Sequence, residues 1–90
     1  MTYEQCQWQK ELRELFPQDY DEQFVPVWHA SWSDYEESAY VYILQKGSQY
    51  YVQNYAYSVM SDDNTDYWQP YAVTDARLWE ILLDWEEHLD

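Results

Sequence analysis

Carboxylates are the side chains best supplied for chemistry in this 90-residue chain, and they fall in groups. Asp19, Asp21 and Glu22 form the first group, and Asp34, Glu36 and Glu37 the second. Asp62, Asp63 and Asp66 form the third, and Asp84, Glu86, Glu87 and Asp90 the fourth. Side chains two apart on an extended segment are about 6.6 Å apart, and those four apart on a helix are about 5–6 Å apart at Cβ. Arrays of this kind can hold a cation, exchange protons, or present negative charge to a cationic surface. The first option has one candidate. Asp62-Asp63-Asn64-Thr65-Asp66 reads D-x-N-x-D, the opening of a calcium loop. The match then fails, because Tyr67 stands where the sharp turn requires Gly and Val73 where the bidentate Glu belongs. His29 has no ligand-type partner at i+2 or i+4, and His88 suits the negative end of the last helix. Cys6 is the only cysteine, so there is neither an intrachain disulfide nor a cysteine zinc site. Nucleophilic catalysis has no G-x-S-x-G elbow to support it, phosphate binding has no glycine-rich loop, and a single-glycine chain of this length leaves little room for a substrate cleft. No enzymatic activity, cofactor or metal is expected. Presentation of charge remains.

The balance of charge points the same way. Eighteen acidic residues against four basic ones give a formal net charge of -14 and a pI near 4.1. Nucleic acids and anionic membranes are themselves polyanions that Lys and Arg must neutralise, so neither is expected as a direct partner. Solubility alone is served by a net charge of about 2–8, and a larger one costs stability through self-repulsion. The excess therefore suits a basic partner. Spacings near those of successive phosphates, whose rise alone is about 3.4 Å per nucleotide on one strand, would let carboxylates occupy a groove built for nucleic acid. Leu, Ile, Val and Phe make up under a fifth of the chain, which at this charge would ordinarily signal disorder. Aromatic residues, at 21%, supply the missing apolar surface and argue for a folded chain. There is no run of 18 apolar residues, and the first residues lack the basic and apolar regions of a signal peptide. A cytoplasmic location is expected.

The elements that must position these residues read as one domain, 1–90. Thr2 and Gln5 fit a capping box. Trp8, Leu12, Leu15 and Phe16 then form one helical stripe that Pro17 ends. From Phe24 the period becomes two. Phe24, Pro26, Trp28, Ala30 and Trp32 are expected on one strand face, with Pro26 marking an edge strand or an irregular start to it. Ala39, Val41 and Ile43 alternate with Tyr40, Tyr42 and Leu44. Gly47 suits a hairpin, and Tyr50, Val52, Ala56 and Met60 alternate with Tyr51, Tyr55, Tyr57 and Val59. Tyr67–Val73 holds a fourth short strand, interrupted by Pro70. Thr74 caps a second helix with Leu78, Leu82, Trp85 and Leu89 buried, a stripe widened by Trp79 and Ile81. The expectation is an α+β domain: an N-terminal helix, a three- to four-stranded antiparallel sheet and a C-terminal helix, with both helices packed on one sheet face. Tyr51, Tyr55 and Tyr57, joined by Tyr67, would then form an open aromatic surface beside Asp34, Glu36, Glu37, Asp62, Asp63 and Asp66. Tyrosine offers large contact area with few rotatable bonds and a hydroxyl for hydrogen bonding. The other reading of that face is ordinary cross-strand pairing, or burial in a homodimer.

In size, helix–sheet–helix order and acidic loops, the chain resembles phage-encoded DNA-mimic inhibitors of the anti-CRISPR type. In charge it is similar to uracil-DNA glycosylase inhibitors and anti-restriction proteins. The resemblance spans the chain in composition and architecture and includes no shared motif, so no family residue is carried over. It implies an inhibitor of the host cytoplasm that blocks the basic surface of a Cas effector, restriction enzyme, DNA glycosylase or nuclease. The same acidic and aromatic composition also suits an immunity protein for a basic nuclease toxin, or an assembly module that uses the tyrosine face.

Overall fold

A computed structural model describes residues 1–33, 35, 37–58 and 68–89, with the backbone alone of Tyr57, Ser58, His88 and Leu89. The expected order holds. Helix α1 (Tyr3–Leu15) is followed by β1 (Val25–Ser33), β2 (Glu37–Lys46), β3 (Gln49–Ser58), β4 (Tyr71–Val73) and α2 (Asp75–Leu89). The capping box forms: the Gln5 amide donates to Thr2 Oγ1 at 3.1 Å, and the Thr2 amide donates to Gln5 Oε1 at 2.9 Å. Gln5 Nε2 also donates to the Pro26 carbonyl, which ties the start of α1 to the start of β1. At the other end the Phe16 amide closes on the Leu12 carbonyl, and Pro17 stops the helix. Thr74 caps α2 by accepting from the Arg77 amide at 3.2 Å.

The sheet is an antiparallel meander in the order β1-β2-β3-β4. β1 is an edge, where Pro26 costs no ladder bond. Lys46 pairs with Gln49 across Gly47–Ser48. Gly47 has φ +64° and open space where a Cβ would point, so it is the backbone angle and not crowding that calls for glycine.

The two helices do not share a sheet face. Leu12 and Phe16 of α1 pack with Phe24, Tyr42 and Leu44. Ile81 of α2 packs with Ala30, Val41, Ile43, Val52 and Val73, supported by Leu78, Leu82 and Trp85. The expected single helical layer is therefore corrected to helix, sheet, helix. The reason lies in β2, where Val41, Tyr42, Ile43 and Leu44 are all buried in succession. Successive side chains of a strand point to opposite faces, so four buried in a row require cover on both. A second correction concerns β1. The register shifts between Pro26 and Trp28, and this bulge moves Trp28 and Ala30 to the α2 side while Phe24 stays on the α1 side.

Aromatic rings supply the bulk of the α1 side. Trp68 sits edge-on to Phe16, Tyr20 and Phe24, with centroids 5.3, 5.0 and 5.7 Å away. Phe24 in turn meets Tyr51 at 4.9 Å. Edge-to-face packing of this kind adds about 0.5–1.5 kcal/mol per pair beyond area burial, which is how a chain poor in aliphatic residues closes a core.

Candidate partner-binding surfaces

Of the tyrosines expected on an open face, Tyr51 and Tyr55 lie instead on the covered α1 side of the sheet. Tyr42 is the most deeply buried, and Tyr40, Tyr51 and Tyr55 are half-buried around it. Their hydroxyls explain how the sequence pattern misled: a tyrosine buries its ring and keeps a polar tip satisfied. The Tyr42 hydroxyl donates to Glu11 Oε2 at 3.1 Å. Burial, reinforced by that carboxylate, raises its pKa far above the usual phenol range. Tyr20 is also raised by burial, and its hydroxyl donates to the Phe24 carbonyl. Tyr57 pairs with Ser38 through its backbone. Glu37 is exposed at the start of β2 and has the parity of Val41 and Ile43, so it belongs to the face opposite Tyr51 and Tyr55. Asp34, Glu36, Asp62, Asp63, Asp66 and Tyr67 lie outside the described residues.

Two other places emerge. The first is α2. Trp79, expected in the core, is 66% exposed, and Leu83 is 57% exposed. The buried stripe runs through Leu78, Ile81, Leu82 and Trp85, and Trp79 stands about 100° round the helix from Leu78. Asp75, Trp79, Leu83 and Glu87 follow one another at i, i+4 spacing, so a carboxylate stands one turn before and one turn after the apolar pair. Glu80, Asp84 and Glu86 are exposed on the same helix, and its one arginine, Arg77, is paired with Glu80 at 2.9 Å. Beside Trp79 an apolar cleft of about 300 Å³ opens between α2 and the sheet, lined by Val27, Trp28, Tyr50 and Leu78.

The second place is a cleft of about 360 Å³ between α1 and the β1–β2 hairpin. Glu11 and Glu14 overhang it from α1, while His29, Tyr40 and Tyr42 form its floor. His29 is stacked on Tyr42 at 4.3 Å, with Tyr40 nearly parallel at 6.4 Å. His29 Nδ1 lies 3.1 Å from the Val41 carbonyl, and a carbonyl only accepts, so Nδ1 carries the proton. In the neutral ring Nε2 is then an acceptor, facing Glu11 Oε2 at 4.0 Å. Burial holds the His29 pKa below its ordinary value, against the opposing pull of the Val41 carbonyl and Glu11. Periodicity analysis passes over this site because its residues come from three elements more than ten positions apart.

Among the described residues no group of three or more His, Cys, Asp or Glu side chains is arranged to hold a metal ion, and no helix is long and apolar enough to cross a membrane. Cys6 is a free thiol on the exposed side of α1. Ion pairs engage Arg13 with Glu22, Lys46 with Asp21 and Arg77 with Glu80. Three of the four cations are thus already paired with carboxylates, and the remaining surface is strongly anionic. Comparison with known proteins found no matching family model, no matching curated protein and no matching solved structure.

Proposed function

We propose that this protein is an acidic inhibitor that occupies the nucleic-acid-binding surface of a basic enzyme, with a Cas effector as the first target class. The observation that carries the reading is the outer row of α2. Trp79 and Leu83 stand exposed between Asp75 and Glu87, and Glu80, Asp84 and Glu86 surround them. An exposed aromatic side chain inside a ring of charge, desolvated when a partner covers it, is the composition of an interface hot spot, and charge of a single sign speeds association with a surface of the opposite sign. A second copy of the chain is a poor occupant of this row, since it would bring a further net charge of -14 against the same carboxylates. A nucleic-acid channel, lined with Lys and Arg, has the complementary charge.

The test is capture from host lysate on immobilised protein, with the bound proteins identified by mass spectrometry and eluted by a salt gradient. A nucleic-acid enzyme that binds at low salt, elutes at moderate salt and is displaced by its own nucleic acid supports the reading. Recovery of a cognate toxin nuclease would redirect it to an immunity protein. Recovery only of partners indifferent to salt would end it.

A further inference from the structure

We infer that the cleft between α2 and the sheet is a docking site for a bulky apolar side chain, flanked by lysine or arginine, on the surface of a protein partner. The inference deepens the proposed function and rests on it for the identity of the partner, while the cleft itself follows from how two layers fit. Neighbouring strands lie about 4.7–4.9 Å apart, so four of them are wider than one helix, about 10–12 Å across with its side chains. Among the described residues α2 is the one helix packed on its side of the sheet, with Ile81 set against Ala30, Val41, Val52 and Val73. Toward the β2–β3 hairpin that face is covered incompletely. Val27, Trp28 and Tyr50 are only half-buried there, with Leu78 and Trp79 overhanging them, and a space of about 300 Å³ opens between. A cavity of about 150 Å³ holds a benzene-sized group, so this one admits a phenylalanine side chain.

The lining fixes what enters and the charge fixes what carries it. Apart from the Tyr50 hydroxyl and one carboxylate, Asp75 in the first turn of α2, the side chains that line the cleft are apolar. An apolar group therefore gains by leaving water for it. Asp84, Glu86 and Glu87 are exposed along the same helix, and the charge of Arg77 is already met by Glu80. A second copy of the chain would bring its own net charge of -14 against these carboxylates, and an anionic membrane would meet the same repulsion. A basic protein surface has the complementary charge. Trp79 forms the exposed rim of the cleft and also belongs to the outer row of α2, so cleft and row face one partner together.

The probe is acetyl-Lys-Lys-Phe-Lys-Lys-amide, titrated into the full chain at low ionic strength. Binding is followed by NMR on the indole N–H signals of Trp28 and Trp79, where saturable shifts are expected. Serine in place of the probe's phenylalanine should weaken binding about tenfold or more, the effect of withholding a ring from burial. Glutamate in place of its lysines should abolish binding. In the protein, Val27→Phe fills the cleft from the sheet side and Trp79→Ala removes its rim, and each should weaken the probe about tenfold. Melting temperatures are measured alongside. Trp79 is exposed, so Trp79→Ala still decides if Val27→Phe fails to fold. Equal binding of the serine or glutamate peptide, shifts confined to other residues, or full affinity in folded Trp79→Ala would each overturn the proposal. So would a dimer of the free chain that shifts the same two indoles. The two readings fail separately. Capture of a basic enzyme by the parent and by folded Val27→Phe alike sinks the docking cleft and leaves the inhibitor standing, because Trp79 and Leu83 are untouched. Docking of the probe with no basic enzyme captured does the reverse.

Discussion

His29 shows how much one residue's meaning depends on its neighbours. Its folded pKa lies below the unfolded value of about 6.5, because burial disfavours the imidazolium more than the Val41 carbonyl and Glu11 favour it. The unfolded chain therefore binds the proton first. This contribution to stability is complete above about pH 6.5 and is lost as pH falls from there toward the folded pKa. NMR titration should place the His29 midpoint below 6.5, and a midpoint above it would remove the burial argument. Gln53 offers a second test at this scale. It is buried opposite Tyr42, and its Oε1 has no hydrogen-bond partner. Replacing an unsatisfied buried amide by an apolar chain of similar shape relieves a desolvation penalty of about 1–3 kcal/mol. Gln53→Met should accordingly raise the denaturation midpoint, and a drop would mean that the amide is better satisfied than its surroundings indicate.

At the scale of the elements, the two helices are each amphipathic but use their faces differently. Leu12 lies fully inside under α1, so Leu12→Ala should cost about 2–5 kcal/mol. Leu83 faces outward from α2, and Leu83→Ala should stay within about 0.5 kcal/mol of the parent. Urea denaturation of the two variants distinguishes a core leucine from a surface one. If Leu83→Ala also destabilised by several kcal/mol, the outer row of α2 would be structural and the proposed anchor would be lost. The β2–β3 hairpin has its own requirement. At Gly47 a left-handed angle costs an L-residue about 1–2 kcal/mol, so Gly47→Ala should lose about that much even though its methyl group meets nothing.

Across the whole molecule the dominant quantity is the net charge of -14. It makes salt act with opposite signs on two properties. Screening relieves self-repulsion in the free protein, so its melting temperature should rise between about 10 and 200 mM salt. Screening also weakens a complex held by opposite charges, so affinity for a basic partner should fall over the same interval. A chain whose melting temperature fell with added salt would have its charges arranged to attract, contrary to the excess of 18 acidic over four basic residues.

The order of elements, both helix caps, the edge position of β1 and the hairpin glycine were legible in the sequence, because each depends on residues within a few positions of one another. So was the alternation of β2 and β3, which follows from a period of two. The faces were not legible. Alternation says which residues share a side, but a tyrosine suits either a covered or an open one, and it is the packing of α1, Phe24 and Trp68 on that side that covers Tyr42, Tyr51 and Tyr55. A bulge at Val27 reverses parity, which Pro26 signals only as an edge or an irregular start, and Trp79 lies beside the apolar stripe of α2 yet is left in solvent. The cleft of Glu11, Glu14 and His29 depends on how α1 lies over β1 and β2, set by Leu12 and Phe16 in the core and by the Gln5–Pro26 hydrogen bond. Local chemistry determined the elements and the charge. The long-range packing of two helices on opposite faces of one sheet decided which side chains are left exposed.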